Sequence, residues 1–403
     1  MSRRLDRRTF LEQTATGALI ATASYSPQVH GHDPSSVAQA VVQSNSQGPP
    51  MDPFPLYRCQ GDHHSLGRQH GEQAAERIRA HLEFMAESMN LTRDAIRRRA
   101  LQFRPLFEKH CGHLMIELQG LAEGAQITLA DAMAVNIRGA LTTASDGGCT
   151  AFAIQASNTA ERTILIGQNS DMLPAMVDLA YVLHMKPRDK PEVLMWTFGG
   201  MIGYHGLNSE GVAHFANDVG GGPAPNFALP HYPLKRMLLE CRRMEEILER
   251  FRTTPLWISG NYVICDGSGA IFDVEVTPDG FEVLDEQLPG MVVHANHFLS
   301  GPLATAENHR QSAADSFDRQ QRMEALLGSQ LGRLTLADLE RYLRDRDGAP
   351  TAICRSAQTV DISVGWERAG ITVASIVAQP ALRRMHIAAG NRDDARFVTY
   401  EMA

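Results

Sequence analysis

The chain has 403 residues, with 38 Lys and Arg residues against 46 Asp and Glu residues, and a formal net charge of -8. With 43% hydrophobic and 21% charged residues, its composition is that of an ordinary globular protein, which excludes disorder over most of its length. The mild acidic excess, without a basic stripe, argues against nucleic acid as the main partner. Six cysteines without a C-x-x-C pair argue against a disulfide scaffold, a structural zinc site and a thioredoxin-type redox site.

Residues 1–23 indicate a targeting signal, because a cluster of arginines precedes a short apolar run that ends in small residues. The stretch 7–11 (RRTFL) resembles the twin-arginine export motif, although Asp6 and Glu12 depart from it. We therefore expect export to the periplasm or the extracellular space. The alternative is a frayed basic arm, and the apolar run is too short to span a membrane. Residues 24–55 are rich in Ser, Gln and Pro, which predicts a flexible linker before a folded part at 56–403.

The first half of the folded part has helical periodicity. Apolar residues at three- and four-residue spacings predict a helix over 66–85. Further helices are predicted over 92–103, with Thr92 as the N-cap, and over 114–124 and 129–137.

From Cys149 the pattern changes to short apolar or alternating runs, separated by turn residues. These runs predict strands at 151–155, 163–168, 181–186, 193–198, 212–217, 261–265, 270–276 and 281–284. Their short connections predict antiparallel hairpins. Helices are then predicted over 234–251, 316–327 and 336–345, with closing strands over 371–376 and 384–387. Helices segregated from runs of strands predict an α+β architecture.

The junction Gly147-Gly148-Cys149-Thr150 carries the chemistry that the sequence suggests. Two glycines before a cysteine allow its thiol to approach the preceding carbonyl closely and attack the upstream peptide bond. Cleavage between Gly148 and Cys149 would leave Cys149 with a free α-amine, whose ordinary pKa of about 7.7 to 8.0 suits a base for the thiol. The alternative from the residues alone is a buried cysteine after a Gly-Gly turn.

From about residue 56 to the end, the chain resembles the family of acyl-coenzyme A:6-aminopenicillanic acid acyltransferases, which are self-processing N-terminal-nucleophile (Ntn) hydrolases. The residues that carry the resemblance are 67–71, 117–129 (ELQGLAEGAQITL), 146–152 (DGGCTAF), 167–171 (GQNSD), 206–217 (GLNSEGVAHFAN), 294–298 (HANHF) and 352–355 (AICR). The resemblance implies a four-layer αββα fold with two antiparallel sheets. It also implies cleavage into segments 56–148 and 149–403.

By the same resemblance, Cys149 is the nucleophile for self-cleavage after Gly148 and for acyl transfer through a thioester. Asp171 would orient the terminal ammonium or the cleavage-site backbone. Asn217 and Asn261 would serve the oxyanion hole or contact the substrate amide. Arg319 is the last catalytic residue that the resemblance implies.

Each assignment has a structural alternative. Asp171, Asn217 and Asn261 could be turn residues at the ends of strands. Arg319 could lie on a solvated helix face, since Phe317 replaces an arginine frequent in the family. Ser170 stands where relatives often have Trp, so the resemblance does not predict the shape of the neighbouring pocket.

The histidines do not predict a metal site. His294 and His297 are three apart outside a helix, so their rings do not share one face, and we expect structural or pocket-lining roles. His63, His64 and His70 favour a solvated helix entrance over a ligand set. Neither a cofactor nor a metal is expected.

The sequence therefore predicts an exported, self-cleaving Ntn enzyme that acts on a small amide or acyl thioester, with water or an amine as acceptor. Its two processed fragments are expected to stay associated. Two hypotheses from other classes remain: an Ntn-fold binding protein with an unreactive Cys149, and an uncleaved Cys-His hydrolase.

Overall fold

A computed structural model describes residues 53–141, 148–310, 314–359, 369–392 and 394–402. The predicted signal, all but the last three residues of the predicted linker, and Asp146 and Gly147 of the cleavage motif lie outside the described residues. Within the described residues, no helix is long and apolar enough to cross a membrane.

The helices and strands of the described residues are numbered in chain order. The helices are α1 (His63–Met89), α2 (Arg93–Leu101), α3 (Arg104–Ala125), α4 (Leu129–Val135), α5 (Arg138–Leu141), α6 (Met176–Leu179), α7 (His231–Leu238), α8 (Met244–Thr253), α9 (Ala306–His309), α10 (Asp315–Gly328) and α11 (Leu336–Tyr342). The strands are β1 (Leu56–Gly61), β2 (Gly148–Ile154), β3 (Leu165–Met172), β4 (Ala180–Pro187), β5 (Val193–Phe198), β6 (His205–Asn208), β7 (Ala213–Asp218), β8 (Gly260–Cys265), β9 (Ile271–Thr277), β10 (Gly280–Leu284), β11 (Met291–His294), β12 (Ile371–Gln379), β13 (Arg384–Ala389) and β14 (Val398–Glu401).

The strands form two sheets. The larger sheet has the order β1-β4-β5-β6-β7-β8-β9-β10, and the smaller has the order β11-β2-β3-β12-β13-β14. The predicted antiparallel pairing is confirmed except at one edge, where β1 runs parallel to β4. A parallel pair needs a long connection, and here the helical segment and strands β2 and β3 lie between β1 and β4 in the chain.

Alternating side chains along the strands separate three apolar cores. In β4, Val182 packs between the two sheets, whereas Leu183 packs against the helices that include α1 and α3. In β2, Ala151 faces the other sheet, and Phe152 faces the core with α10 and α11. The order of layers is therefore helix, sheet, sheet, helix, which confirms the predicted α+β, four-layer αββα sandwich.

Helices α1 and α3 pack at close range because glycines face each other across their contact. A Cβ atom on Gly67 would lie 1.8 Å from the Glu117 carbonyl oxygen, and one on Gly120 would lie 2.1 Å from the His64 carbonyl oxygen. Gly71 and Gly124, each one turn further on, are equally confined. The glycines of the family motifs at 67–71 and 117–129 are therefore explained by helix packing.

Most predicted elements are confirmed, with shifted ends, and Thr92 caps α2 as expected. The single helix predicted over 234–251 is wrong, since the chain forms α7 and α8 there. Asn208 donates hydrogen bonds to the carbonyls of Leu239 (3.0 Å) and Cys241 (2.6 Å), which stabilises the break. The folded part begins before the predicted boundary, because Phe54 is buried between the sheets.

Candidate active site

Cys149 lies at the start of β2, a strand whose residues are all buried. Since Ala151 and Ala153 face the other sheet, the side chain of Cys149 faces the same inter-sheet space. The pairing of β2 with β3 places Cys149 opposite Ser170 and Gly148 opposite Asp171. The predicted nucleophile, cleavage site and aspartate are therefore brought together by one pair of strands.

Asn296 holds the backbone nitrogen of the predicted nucleophile. The Cys149 N–H donates to Asn296 Oδ1 at 2.9 Å, and Asn296 Nδ2 donates to the Asp218 carbonyl at 2.8 Å. The Asn296 backbone N–H donates in turn to Ser316 Oγ at 2.7 Å. The amide nitrogen at the predicted cleavage site is thus fixed by a side chain that is itself held at both ends.

Arg319 holds the other side of the same residue. Its Nη1 donates to the Cys149 carbonyl at 2.6 Å and to Thr150 Oγ1 at 2.7 Å, and its Nη2 donates to Asn296 Oδ1 at 2.7 Å. Only 1% of Arg319 is exposed, so the expectation of a solvated helix-face arginine is wrong. The side chain turns inward because Asp315, one turn earlier on α10, pairs with it at 3.2 Å.

Asp171 is a buried carboxylate beside the cleavage site. Its Oδ1 accepts a hydrogen bond from Thr372 Oγ1 at 2.7 Å, and its Oδ2 has no partner among the described residues. Burial raises the pKa of Asp171 to about 6, although Arg319 and Arg355 oppose that rise. This carboxyl therefore changes charge near neutral pH.

The Cys149 thiol is protonated in the uncleaved chain. Burial raises its pKa to about 12, and the Asp171 charge acts in the same direction. The Lys235 and Arg319 cations and the Asp171 backbone N–H oppose that rise. Because the thiolate is the reactive form, the thiol needs a base close by before it can act on a substrate.

Asn217 and Asn261 lie opposite each other on β7 and β8. Asn217 Nδ2 donates to Asn261 Oδ1 at 2.8 Å and to the His294 carbonyl at 3.2 Å. Asn261 Nδ2 donates to Asp273, and Gln168 Nε2 donates to Asn217 Oδ1 at 2.9 Å. The two asparagines belong to one buried polar chain, and their assignment to the oxyanion hole remains a prediction.

The histidines have structural partners. His294 pairs with Glu275 at 3.0 Å, and His297 shares a hydrogen bond of 2.8 Å with Ser316 Oγ. His70 is buried against the Tyr181 hydroxyl at 2.6 Å, so the expectation of a solvated position is wrong for it. Across the described ranges, no cluster of His, Cys, Asp and Glu is suited to a metal ion.

Sequence reasoning missed two residues of this site. Asn296 lies in HANHF, a motif for which roles are predicted only at the two histidines. Arg355 ends AICR, and its Nη1 pairs with Asp315, the residue that also holds Arg319. Both are polar residues inside family motifs, and that is the signal by which the sequence could have identified them.

The family model described as "Acyl-coenzyme A:6-aminopenicillanic acid acyl-transferase" matches residues 157–394, more than half of the chain, starting downstream of Cys149. The chain belongs to this acyltransferase family. The family is one of self-processing Ntn hydrolases, as the sequence motifs predict, and membership makes the chain an enzyme of acyl transfer or amide hydrolysis.

Individual relatives have low sequence identity. The acyl-coenzyme A:6-aminopenicillanic-acid-acyltransferase 40 kDa form of Emericella nidulans is 26% identical over 352 residues, covering 84% of this chain and 94% of its own. Two variants of conjugated bile acid hydrolase from Clostridium perfringens superpose with TM-scores of 0.42, at 12% and 13% identity, over 63% of this chain and 97% of theirs. Penicillin V acylase from Agrobacterium tumefaciens gives a TM-score of 0.37 at 11% identity, over 61% of this chain and 76% of its own.

Proposed function

We propose that this family member is a self-cleaving cysteine acyltransferase or amidohydrolase, which acts on linear amides or acyl thioesters through a thioester on Cys149. The observation that carries the proposal is a pair of hydrogen bonds to Cys149. Its backbone N–H donates to Asn296, and its carbonyl accepts from Arg319. Holding Cys149 on both sides fixes its position relative to the Gly148 carbonyl, which favours cleavage at that one peptide bond.

Self-cleavage would begin with attack of the Cys149 sulfur on the Gly148 carbonyl carbon. The carbon–nitrogen bond breaks, the thiol proton passes to the departing nitrogen, and Gly148 is left as a thioester on the sulfur. Water then hydrolyses the thioester, which releases the Gly148 carboxylate and restores the thiol. Because the Cys149 N–H already points at Asn296 Oδ1, the new amine would form within a ready acceptor site.

Turnover would use the new α-amine as the base. The amine takes the thiol proton, the sulfur attacks the donor carbonyl, and the leaving amine or thiol departs with a proton. Water or an amine acceptor then attacks the thioester and frees Cys149. Asp171, whose Oδ2 lacks a partner among the described residues, would hold the ammonium form, and Asn217 and Asn261 would stabilise the oxyanion.

Hydrolysis is the net reaction that we propose, since water needs no ordered acceptor site. The fragments would remain together after cleavage, because β1 and α1 of the upstream segment pack on the sheet that contains β4. We also propose export to the periplasm or beyond, on the strength of the twin-arginine pattern at 7–11.

The test is the intact mass of the purified protein under denaturing, reducing conditions, with amino-terminal sequencing of each fragment. We expect one fragment that begins at Cys149, and a single intact chain for Cys149→Ala. Amide hydrolysis that persists in Cys149→Ala would rule out this nucleophile. A stable single chain that hydrolyses amides would favour a Cys-His hydrolase, and one that only binds ligands would favour a binding protein.

A further inference from the structure

One carboxylate oxygen bridges two buried arginines beside the predicted cleavage site. Asp315 Oδ2 accepts hydrogen bonds from Arg319 Nε at 3.2 Å and from Arg355 Nη1. The side chains of Arg319 and Arg355 are 0% and 2% exposed, so both charges lie out of water. Two buried cations repel each other unless an anion lies between them. Asp315 therefore stabilises both arginines in their positions.

The first of these arginines, Arg319, contacts Cys149 and Asn296. A guanidinium group is planar and rigid, so an acceptor at Nε fixes the directions of both Nη groups. Nη1 donates to the Cys149 carbonyl at 2.6 Å, and Nη2 donates to Asn296 Oδ1 at 2.7 Å. Asp315, as the acceptor at Nε, therefore directs the two groups that hold the residue after the predicted cut.

The second arginine, Arg355, pairs with Thr372 through its backbone in both directions. The Arg355 N–H donates to Thr372 Oγ1 at 2.8 Å, and the Thr372 N–H donates to the Arg355 carbonyl at 3.1 Å. Because a backbone N–H can only donate, Thr372 Oγ1 is the acceptor in the first bond, and its own proton is directed elsewhere. That proton is donated to Asp171 Oδ1 at 2.7 Å. The Arg355 backbone therefore fixes the hydroxyl group that holds Asp171.

The two arginines thus connect Asp315 to both residues of the predicted cleavage site. Arg319 holds the Cys149 carbonyl, whereas Asp171 lies opposite Gly148 in the β2–β3 pair. We infer that Asp315 is a positioning residue that couples Arg319 to Asp171 during chain cleavage, a role that rests on the proposed function. The path through which it acts is named the Asp315 bridge (Arg319, Asp315, Arg355 and Thr372). Since Asp315 and Arg319 both lie on α10, packing of this helix brings the whole bridge into place.

Asp315→Asn is the direct test, because it keeps the shape of the side chain and removes its charge. Without the anion the two arginines repel each other, so we expect chain cleavage to slow about tenfold or more. Asp318→Asn, at an exposed position on the same helix, is the matched control and should leave the rate unchanged. The time course of intact mass measures both rates. Cleavage of Asp315→Asn at the parental rate would overturn the proposal.

Coupling is measured by combining Arg319→Lys with Thr372→Val, which alter the two ends of the bridge. Changes at independent sites multiply their effects on a rate, whereas changes at coupled sites do not. We expect the double variant to be cleaved about threefold or more faster than the product of the single effects allows. In an Asp315→Asn background the single effects should multiply. Multiplication in the parental background, or the same deviation with and without Asp315, would overturn the proposal.

A second reading needs no cleavage and uses the charges that face Asp171. Burial raises the pKa of this carboxyl, Arg319 and Arg355 oppose the rise, and Asp315 adds to it. The Cys149 thiol, which also faces Asp171, is removed in a Cys149→Ala background. In that background, the pH dependence of urea unfolding that Asp171→Asn abolishes reports on this carboxyl alone. Asp315→Asn should shift it to lower pH, because two cations then face Asp171 without the second anion.

The two readings separate this proposal from the proposed function. An unshifted pH dependence would overturn the coupling, since the charge of Asp315 would then not act on Asp171. A shift in a protein whose parental chain is never cleaved would contradict the proposed function and leave the coupling in place. Cleavage of the parental chain without coupling between Arg319 and Thr372 would do the reverse.

Discussion

The side-chain oxygen of Asn296 accepts hydrogen bonds from the backbone N–H of Cys149 at 2.9 Å and from Arg319 Nη2 at 2.7 Å. One atom therefore couples the predicted scissile bond to the arginine that holds the adjacent carbonyl. A side chain without that oxygen leaves a buried N–H and a buried guanidinium each short of an acceptor.

Asn296→Leu should slow chain cleavage about a hundredfold or more, as the loss of one preorganised active-site hydrogen bond does in enzymes of this kind of chemistry. Asn296→Asp keeps an acceptor oxygen for Cys149 and should retain more activity. The time course of intact mass after rapid purification measures both rates. Cleavage of Asn296→Leu at the parental rate would contradict a role for this contact.

Arg319→Lys should lengthen the half-time of chain cleavage about tenfold or more. A lysine ammonium cannot reproduce the planar fork that reaches the Cys149 carbonyl, Thr150 and Asn296 together. Arg322→Lys is the control, since Arg322 lies on the same helix, is 39% exposed and pairs with Asp345 at the surface. Equal effects of the two substitutions would mean that the inward position of Arg319 has no special role.

Asp171 should make the stability of the uncleaved chain depend on pH. Its folded pKa of about 6 lies above the ordinary value of 3.8, so the folded state holds the proton more tightly. The resulting stabilisation is complete below about pH 4 and is lost as the pH rises through 6. In a Cys149→Ala background, Asp171→Asn should remove this dependence, which amounts to about 3 kcal/mol.

Urea unfolding at pH 4.5 and pH 7.5 should detect about 2 kcal/mol of that dependence, because at pH 4.5 the carboxyl of the unfolded chain is already largely ionised. Asp318→Asn, at an exposed position on α10, is the control and should leave the pH dependence unchanged. If Cys149→Ala with and without Asp171→Asn show the same pH dependence, Asp171 does not carry the raised pKa.

Gly67→Ala should lower the free energy of unfolding by about 1 to 3 kcal/mol or more, because its Cβ would lie 1.8 Å from a backbone oxygen of α3. Gly112→Ala is the matched control, since a Cβ there meets no atom within 4 Å. It should change the stability by about 1 kcal/mol at most. Chemical denaturation of both variants decides whether the contact between α1 and α3 tolerates side chains.

The sequence predicted the elements whose signals are local. Thr92 and the apolar stripe of α1 specify helices through neighbouring residues alone. The alternating runs from residue 151 likewise match strands. By contrast, β1 pairs with the distant β4, and β6 has only four residues, too few for a local strand pattern to be recognised.

The site was predictable where a chemical motif identified it. The strand register brings Cys149, Gly148 and Asp171 beside one another, in agreement with the family motifs, and their catalytic roles stay predictions. The burial of Arg319 was not predictable, because its side chain is covered only when α10 packs over β2. The break between α7 and α8 was missed for a similar reason, because Asn208, which stabilises it, lies on a separate strand.

The Tyr400 hydroxyl donates to the Phe54 carbonyl at 2.7 Å across 346 positions of the chain, and Arg319 reaches Cys149 across 170. Arg319 must therefore leave the ribosome before the junction at Gly148 acquires the donor that holds the Cys149 carbonyl. A nascent chain that stops short of Arg319 should stay intact however long it waits. If the proposed self-cleavage occurs, it would report that synthesis has passed Arg319 and that α10 has packed over β2.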